Sequence, residues 1–188
     1  LTLTKGVVAT DNPAGVFDAP VGPVMFNAPG PGDPFVGTFT SANLAANPIN
    51  ANLADIDAGD LVTFAIVVEN SGGRAAFDLL INDVPPAGFQ IAGGGTSFAD
   101  ANGEIRLASD PSSAIGFTEV GSFFSDADGQ GIRINDPANG VLADRDGAPG
   151  SNILVITYEL EASADINPRT LHENNAHLDD FAAREGGT

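Results

Sequence analysis

The sequence has no cysteine and no tryptophan, only one tyrosine and one methionine, and seven basic residues, of which Lys5 is the single lysine. The lack of thiols excludes disulfides, zinc–thiolate sites, iron–sulfur clusters and cysteine nucleophiles. A domain of this kind must be held by its core, by a metal or by some other cross-link. Seven basic residues against 25 acidic ones leave a formal charge of -18. That balance excludes a phosphate-binding surface of the sort nucleic acid requires. It suits a calcium-rich or saline medium, where cations screen or bind carboxylates. Two histidines, His172 and His177, have no third to complete a His-rich metal site. No apolar run reaches the length of a membrane span. What the chain does have is 188 residues and 43% apolar content, enough for one domain of generous size with a packed core. Both ends read as positions within a longer polypeptide.

The apolar residues fall in short alternating runs. Leu1-Thr2-Leu3-Thr4-Lys5 predicts a strand with Leu1, Leu3 and Lys5 on one face. From about 11 to 57 the chain is rich in Pro, Gly and Asn with isolated phenylalanines, and reads as a long irregular insertion. Short strands are expected near Val24–Phe26 and Phe35–Phe39, and a short helix from Ser41 that Pro48 would break. Leu61–Asn70 is the strongest strand, with Val62, Phe64, Ile66 and Val68 on one face. Ala75–Asp83 follows, stopped by Pro85-Pro86, and later strands are expected at Gly103–Leu107, Ala114–Val120, Gly131–Ile134, Ile153–Leu160 and Leu171–Leu178. Strands divided by Gly/Pro/Asp turns, without helical periodicity, predict an all-β, immunoglobulin-like antiparallel β-sandwich forming a single module over 1–188.

Three of these strands carry a polar residue in phase with their apolar face: Lys5, Asp83 and Asn174. Buried separately, an ammonium, a carboxylate and an amide are each costly. Together they can react. Desolvation removes the proton of a buried lysine, and a neutral amine is a nucleophile. A carboxylic acid kept protonated beside it polarises the asparagine carboxamide. Amine attack then expels ammonia and leaves an isopeptide bond between Lys5 and Asn174, with Asp83 as the assisting acid. The plainer assignment is a snorkelling lysine, a turn aspartate before two prolines and an asparagine capping an edge. Spacing alone leaves both open.

Four segments stand in a fixed order: Ala58-Gly59-Asp60-Leu61-Val62-Thr63-Phe64, Val68-Glu69-Asn70-Ser71-Gly72, Asn82-Asp83-Val84-Pro85-Pro86-Ala87-Gly88-Phe89 and Asn174-Asn175-Ala176. The set resembles the DUF11-type repeat of bacterial cell-surface proteins, over roughly 58–91 and 171–178 plus the opening strand. The resemblance implies an extracellular, cell-surface module with neighbouring repeats of the same chain as partners, and a host, surface or matrix ligand further along. Similar surface domains form Lys–Asn isopeptide bonds beside an acidic residue on a middle strand. By position those roles fall on Lys5, Asn174 and Asp83, while Asn175 has the opposite phase. The long insertion departs from the short form of the repeat.

Two acidic loops, Ser125–Gly131 and Asp144–Gly147, offer Asp126, Asp128, Asp144 and Asp146 as calcium ligands, with Asp136 and Asn139 as further donors. Asp-Gly pairs are equally ordinary turn formers. No organic cofactor is expected. A hydrolase is the least supported function, because the carboxylates sit in turns and no serine lies in a nucleophile elbow. A structural or adhesive spacer is favoured. Its alternative is a carbohydrate- or protein-binding module using the phenylalanines of the 11–57 insertion.

Overall fold

Period-two alternation along the chain resolves into two antiparallel sheets that share one apolar core. The computed structural model describes residues 1–27, 33–136, 140–167 and 171–187. Strand β1 (Thr2–Thr10) leads into the insertion, which carries β2 (Val16–Phe17), β3 (Met25–Phe26), β4 (Phe35–Val36), helix α1 (Ser41–Ala46) and β5 (Leu53–Ala54). The chain then runs through β6 (Leu61–Glu69), β7 (Phe77–Val84), β8 (Phe89–Gln90), β9 (Glu104–Leu107) and β10 (Asp110–Ala114). It closes with β11 (Phe117–Val120), β12 (Gly131–Ile134), β13 (Ile153–Ala162) and β14 (Asn175–Ala182). One sheet has the order β1-β6-β13-β9-β10, with β8 also on β13; the other has the order β11-β12-β7-β14. The expected all-β sandwich is therefore the fold, with the first and last long strands at edges of opposite sheets.

Val62, Phe64, Ile66 and Val68 of β6 meet Leu79 and Ile81 of β7 across the interior. The opposite face of β6 is also buried, through Ala65 and Val67, which is why the strand reads as a nearly continuous apolar run. The insertion covers that face. Phe35, Phe39, Leu44 and Ile49 pack with Ala65, Val67, Ile153 and Val155 in a second apolar cluster. Phe35 and Phe39 meet edge to face at 5.0 Å. Helix α1 starts at a capping box between Thr40 and Asn43 and stops before Pro48. The returning insertion crosses directly over β1, where the Val7 amide donates to the Ala51 carbonyl at 2.9 Å. Gly6 permits this crossing, since a Cβ there would stand 2.9 Å from the Asn50 and Ala51 backbone nitrogens.

The last strand differs from expectation. It spans Asn175–Ala182 rather than Leu171–Leu178, paired with β7 from Asn175↔Val84 to Ala182↔Phe77. Its partner ends at Val84 because Pro85 and Pro86 have no amide to donate. Residues 171–174 consequently have no ladder to join, and Asn174 sits just ahead of the strand. Among the described residues no helix is long and apolar enough to cross a membrane.

Candidate functional site

At this edge the two sheets bring their polar exceptions together. Lys5 lies on β1 opposite Ile66, after Leu1 and Leu3, which pack against the inner core. Its side chain is only 8% exposed. The Nζ donates to Asp83 Oδ1 from β7 and to Asn174 Oδ1 from the approach to β14. Asp83 is fully buried, and its backbone amide donates to the Phe123 carbonyl at 2.9 Å. The three residues singled out by strand phase are therefore one cluster, drawn from β1, β7 and the segment just ahead of β14. Asn175 points away, exposed and paired with Val84.

A fourth member is Tyr158 on β13. Its hydroxyl donates to Asp83 Oδ2 at 2.5 Å and accepts from Asn174 Nδ2 at 3.1 Å. Its ring stacks on Phe64 at 5.4 Å, and Lys5 Nζ lies 5.3 Å from the Tyr158 centroid and 5.5 Å from that of Phe64. Phe123 and Phe124 meet the same tyrosine edge-on, each at 5.5 Å. The phenol is thus boxed by the rings of Phe64, Phe123 and Phe124. The sequence carried a signal for Tyr158: it shares the phase of Leu154, Ile156 and Leu160 on the inward face of β13, so its hydroxyl is a polar atom on an apolar face, as in the other three.

Burial sets the protonation of this group. It pulls Lys5 down to about 8, against the opposing attraction of Asp83. It pushes the Asp83 carboxyl up, with the Lys5 charge and the hydrogen bonds from Lys5 and Tyr158 working the other way. It also raises the Tyr158 phenol, reinforced by the neighbouring Asp83 charge, so the hydroxyl keeps its proton. Relative to solvent, the cluster favours a neutral amine beside a protonated acid. A free amine held against a carboxamide, with an acid at hand, is equipped for amide exchange.

The acidic loops are built differently. Asp126 and Asp128 are exposed; Gln130 N donates to Ala127 O at 3.2 Å, closing a turn through Asp128-Gly129. Asp144 accepts from the Asp146 amide at 3.0 Å through its own carboxylate, and from Gly147 N at 3.1 Å through its carbonyl. Asp136 accepts from the Asp78 amide, and Asn139 lies outside the described residues. Among the described residues no three His, Asp or Glu side chains are gathered around a common centre. Backbone and side-chain hydrogen bonds close both loops as turns.

Fold and site together define a β-sandwich with a buried amine–carboxyl–carboxamide–phenol cluster. No family model, curated protein or solved structure matches the chain.

Proposed function

We propose that the chain is a structural module of an exported bacterial surface protein, and that it locks its own fold with an autocatalytic isopeptide bond between Lys5 and Asn174. The observation that carries this reading is the convergence of Lys5, Asp83 and Asn174 inside the sandwich. The neutral Lys5 amine attacks Cγ of Asn174, with protonated Asp83 beside the amine as the assisting acid. The new C–N bond replaces the old one, a proton passes from Lys5 to the departing nitrogen, and ammonia leaves. No cofactor enters the balance, because held proximity supplies the rate. The edge position suits a load-bearing role, since the bond would join the first and last long strands across the two sheets.

The resemblance to a repeat of bacterial surface proteins supports the location, and the acidic, thiol-free composition agrees with it. Neighbouring repeats are the partners this reading implies. The binding alternative depended on aromatic rings in the insertion, and Phe35 and Phe39 there are fully buried. Intact mass spectrometry tests the proposal. The purified chain should weigh about 17 Da less than its sequence, the mass of the displaced ammonia, and Asn174→Ala should show no deficit. A wild-type mass equal to that of the sequence would sink it.

A further inference from the structure

The isopeptide reaction needs a proton delivered to its leaving group, and the cluster contains one hydroxyl in position to deliver it. We propose that Tyr158 is a catalytic proton relay, carrying the proton from Asp83 to the Asn174 nitrogen that departs as ammonia; this inference rests on the isopeptide reading above.

The geometry orders the transfers. Lys5 touches only one oxygen of Asp83, Oδ1, while the other, Oδ2, is held by the Tyr158 hydroxyl. That hydroxyl is in turn the partner, among the described residues, of Asn174 Nδ2. Amine, carboxyl, phenol and leaving nitrogen thus form one closed ring of hydrogen bonds around the carboxamide carbon. When Lys5 adds to Cγ, its surplus proton goes to Asp83 Oδ1. In the ground state the phenol donates to Oδ2 and accepts from the amide nitrogen. Once Lys5 has added, that nitrogen is pyramidal with a free lone pair, and both bonds reverse. A proton on Oδ2 passes to the phenol oxygen, and the phenol proton passes to the former amide nitrogen. The C–N bond breaks and neutral ammonia leaves. One hydrogen has moved from Lys5 to Asn174 nitrogen, and Asp83 and Tyr158 end as they began.

Two further features fit this role. Asp83 places Oδ1 on Lys5 and Oδ2 on Tyr158, so among the described residues the phenol is the link between that second oxygen and the leaving nitrogen. Burial keeps the phenol protonated across the working pH range, as a relay requires. The ring itself is fixed by stacking on Phe64 and by edges of Phe123 and Phe124, which pre-organises the hydroxyl.

The test uses full-length chain made by cell-free synthesis, with ammonia loss followed by intact mass against time. Wild type sets the reference; if it never loses ammonia, the isopeptide reading fails and the relay with it. Tyr158→Phe keeps the ring and removes only the hydroxyl, and should link at least about 100-fold more slowly, in the range of a lost general acid. Linking at the wild-type rate overturns the relay while leaving the isopeptide reading intact. Because Tyr158 is the only tyrosine, 3-fluorotyrosine incorporated throughout changes the acidity of this one phenol with little change of shape. The relay predicts an altered linking rate. A rate unchanged by fluorination, alongside a slow Tyr158→Phe, would assign Tyr158 to packing and also overturn the proposal. Phe98→Leu, which loosens the same ring cluster with the hydroxyl intact, should still link fully; failure there with recovered fold would likewise point to packing.

Discussion

Lys5 is the residue on which the proposed chemistry turns, and its burial has a sign that can be measured. Its folded pKa of about 8 lies below the ordinary 10.5, so between those values the unfolded chain binds more protons than the folded one. Stability from this group therefore rises as pH increases through that window, and is lowest where the folded protein must carry a desolvated ammonium. The unlinkable Asn174→Ala variant should show the effect, gaining up to about 3 kcal/mol from pH 8 to 10.5 relative to Asn174→Ala/Lys5→Met. Urea midpoints of the two variants at each pH decide it; a constant gap between them would mean that Lys5 is not held uncharged. At this scale strand phase pointed to Lys5 and Asp83, because a polar atom on an apolar face is visible from alternation. Asn174 was reached through a strand drawn too early and lies just ahead of β14, and spacing alone did not decide between a cluster and three separate roles. Tyr158 obeyed the same rule but passed as an ordinary core aromatic, since most of its surface is apolar. Its partners are 75 and 16 residues away, and only the fold brings them to it.

Elements were readable in proportion to how much of their burial their own alternation encodes. Strands β6 and β13 stood out because their apolar runs are long. The start of β14 was misplaced because its limit is set by its partner, β7, which ends at a pair of prolines eighty-odd residues earlier. The insertion was readable in part. Short strands near Val24–Phe26 and Phe35–Phe39 and a helix from Ser41 were expected and stand as β3, β4 and α1. Strands β2 and β5 are too short to show a period, and nothing local shows that the insertion lies as a second layer on the outer face of β6 and β13. That layer makes a stability prediction. Gly6→Ala should destabilise by about 1–3 kcal/mol, as an added methyl meets backbone that cannot rotate away, whereas Gly73→Ala, where a Cβ meets nothing within 4 Å, should be nearly neutral. Thermal melts of both in the Asn174→Ala background would check this; equal effects would show that the insertion does not press on β1. The acidic loops belong to this scale too: each closes by its own turn hydrogen bonds, so the calcium expectation rests on residue spacing alone.

For the whole molecule, the proposed bond ties residues 169 positions apart and so encloses nearly all of the chain. In a chain-entropy description a loop of that size stabilises the fold by about 5 kcal/mol, through loss of freedom in the unfolded state. For a domain of this length that corresponds to a fall of about 10–20 °C in melting temperature when the link is prevented. Asn174→Ala and Lys5→Met should both show it, by calorimetry at neutral pH, and a loss of only a degree or two would mean no cross-link had been removed. A thiol-free sandwich with its first and last long strands on sheet edges is open to unzipping from either end, and the proposed bond would close the route from both.

The most direct test is peptide mapping of the purified wild-type chain. Trypsin cuts after lysine and arginine, and a Lys5 whose amine is acylated resists cleavage. The account predicts a branched species in which residues 1–74 are joined to residues 170–184 through Lys5 and Asn174, short of the combined mass by one ammonia. Recovery of free residues 1–5 and an unmodified 170–184 peptide would contradict it.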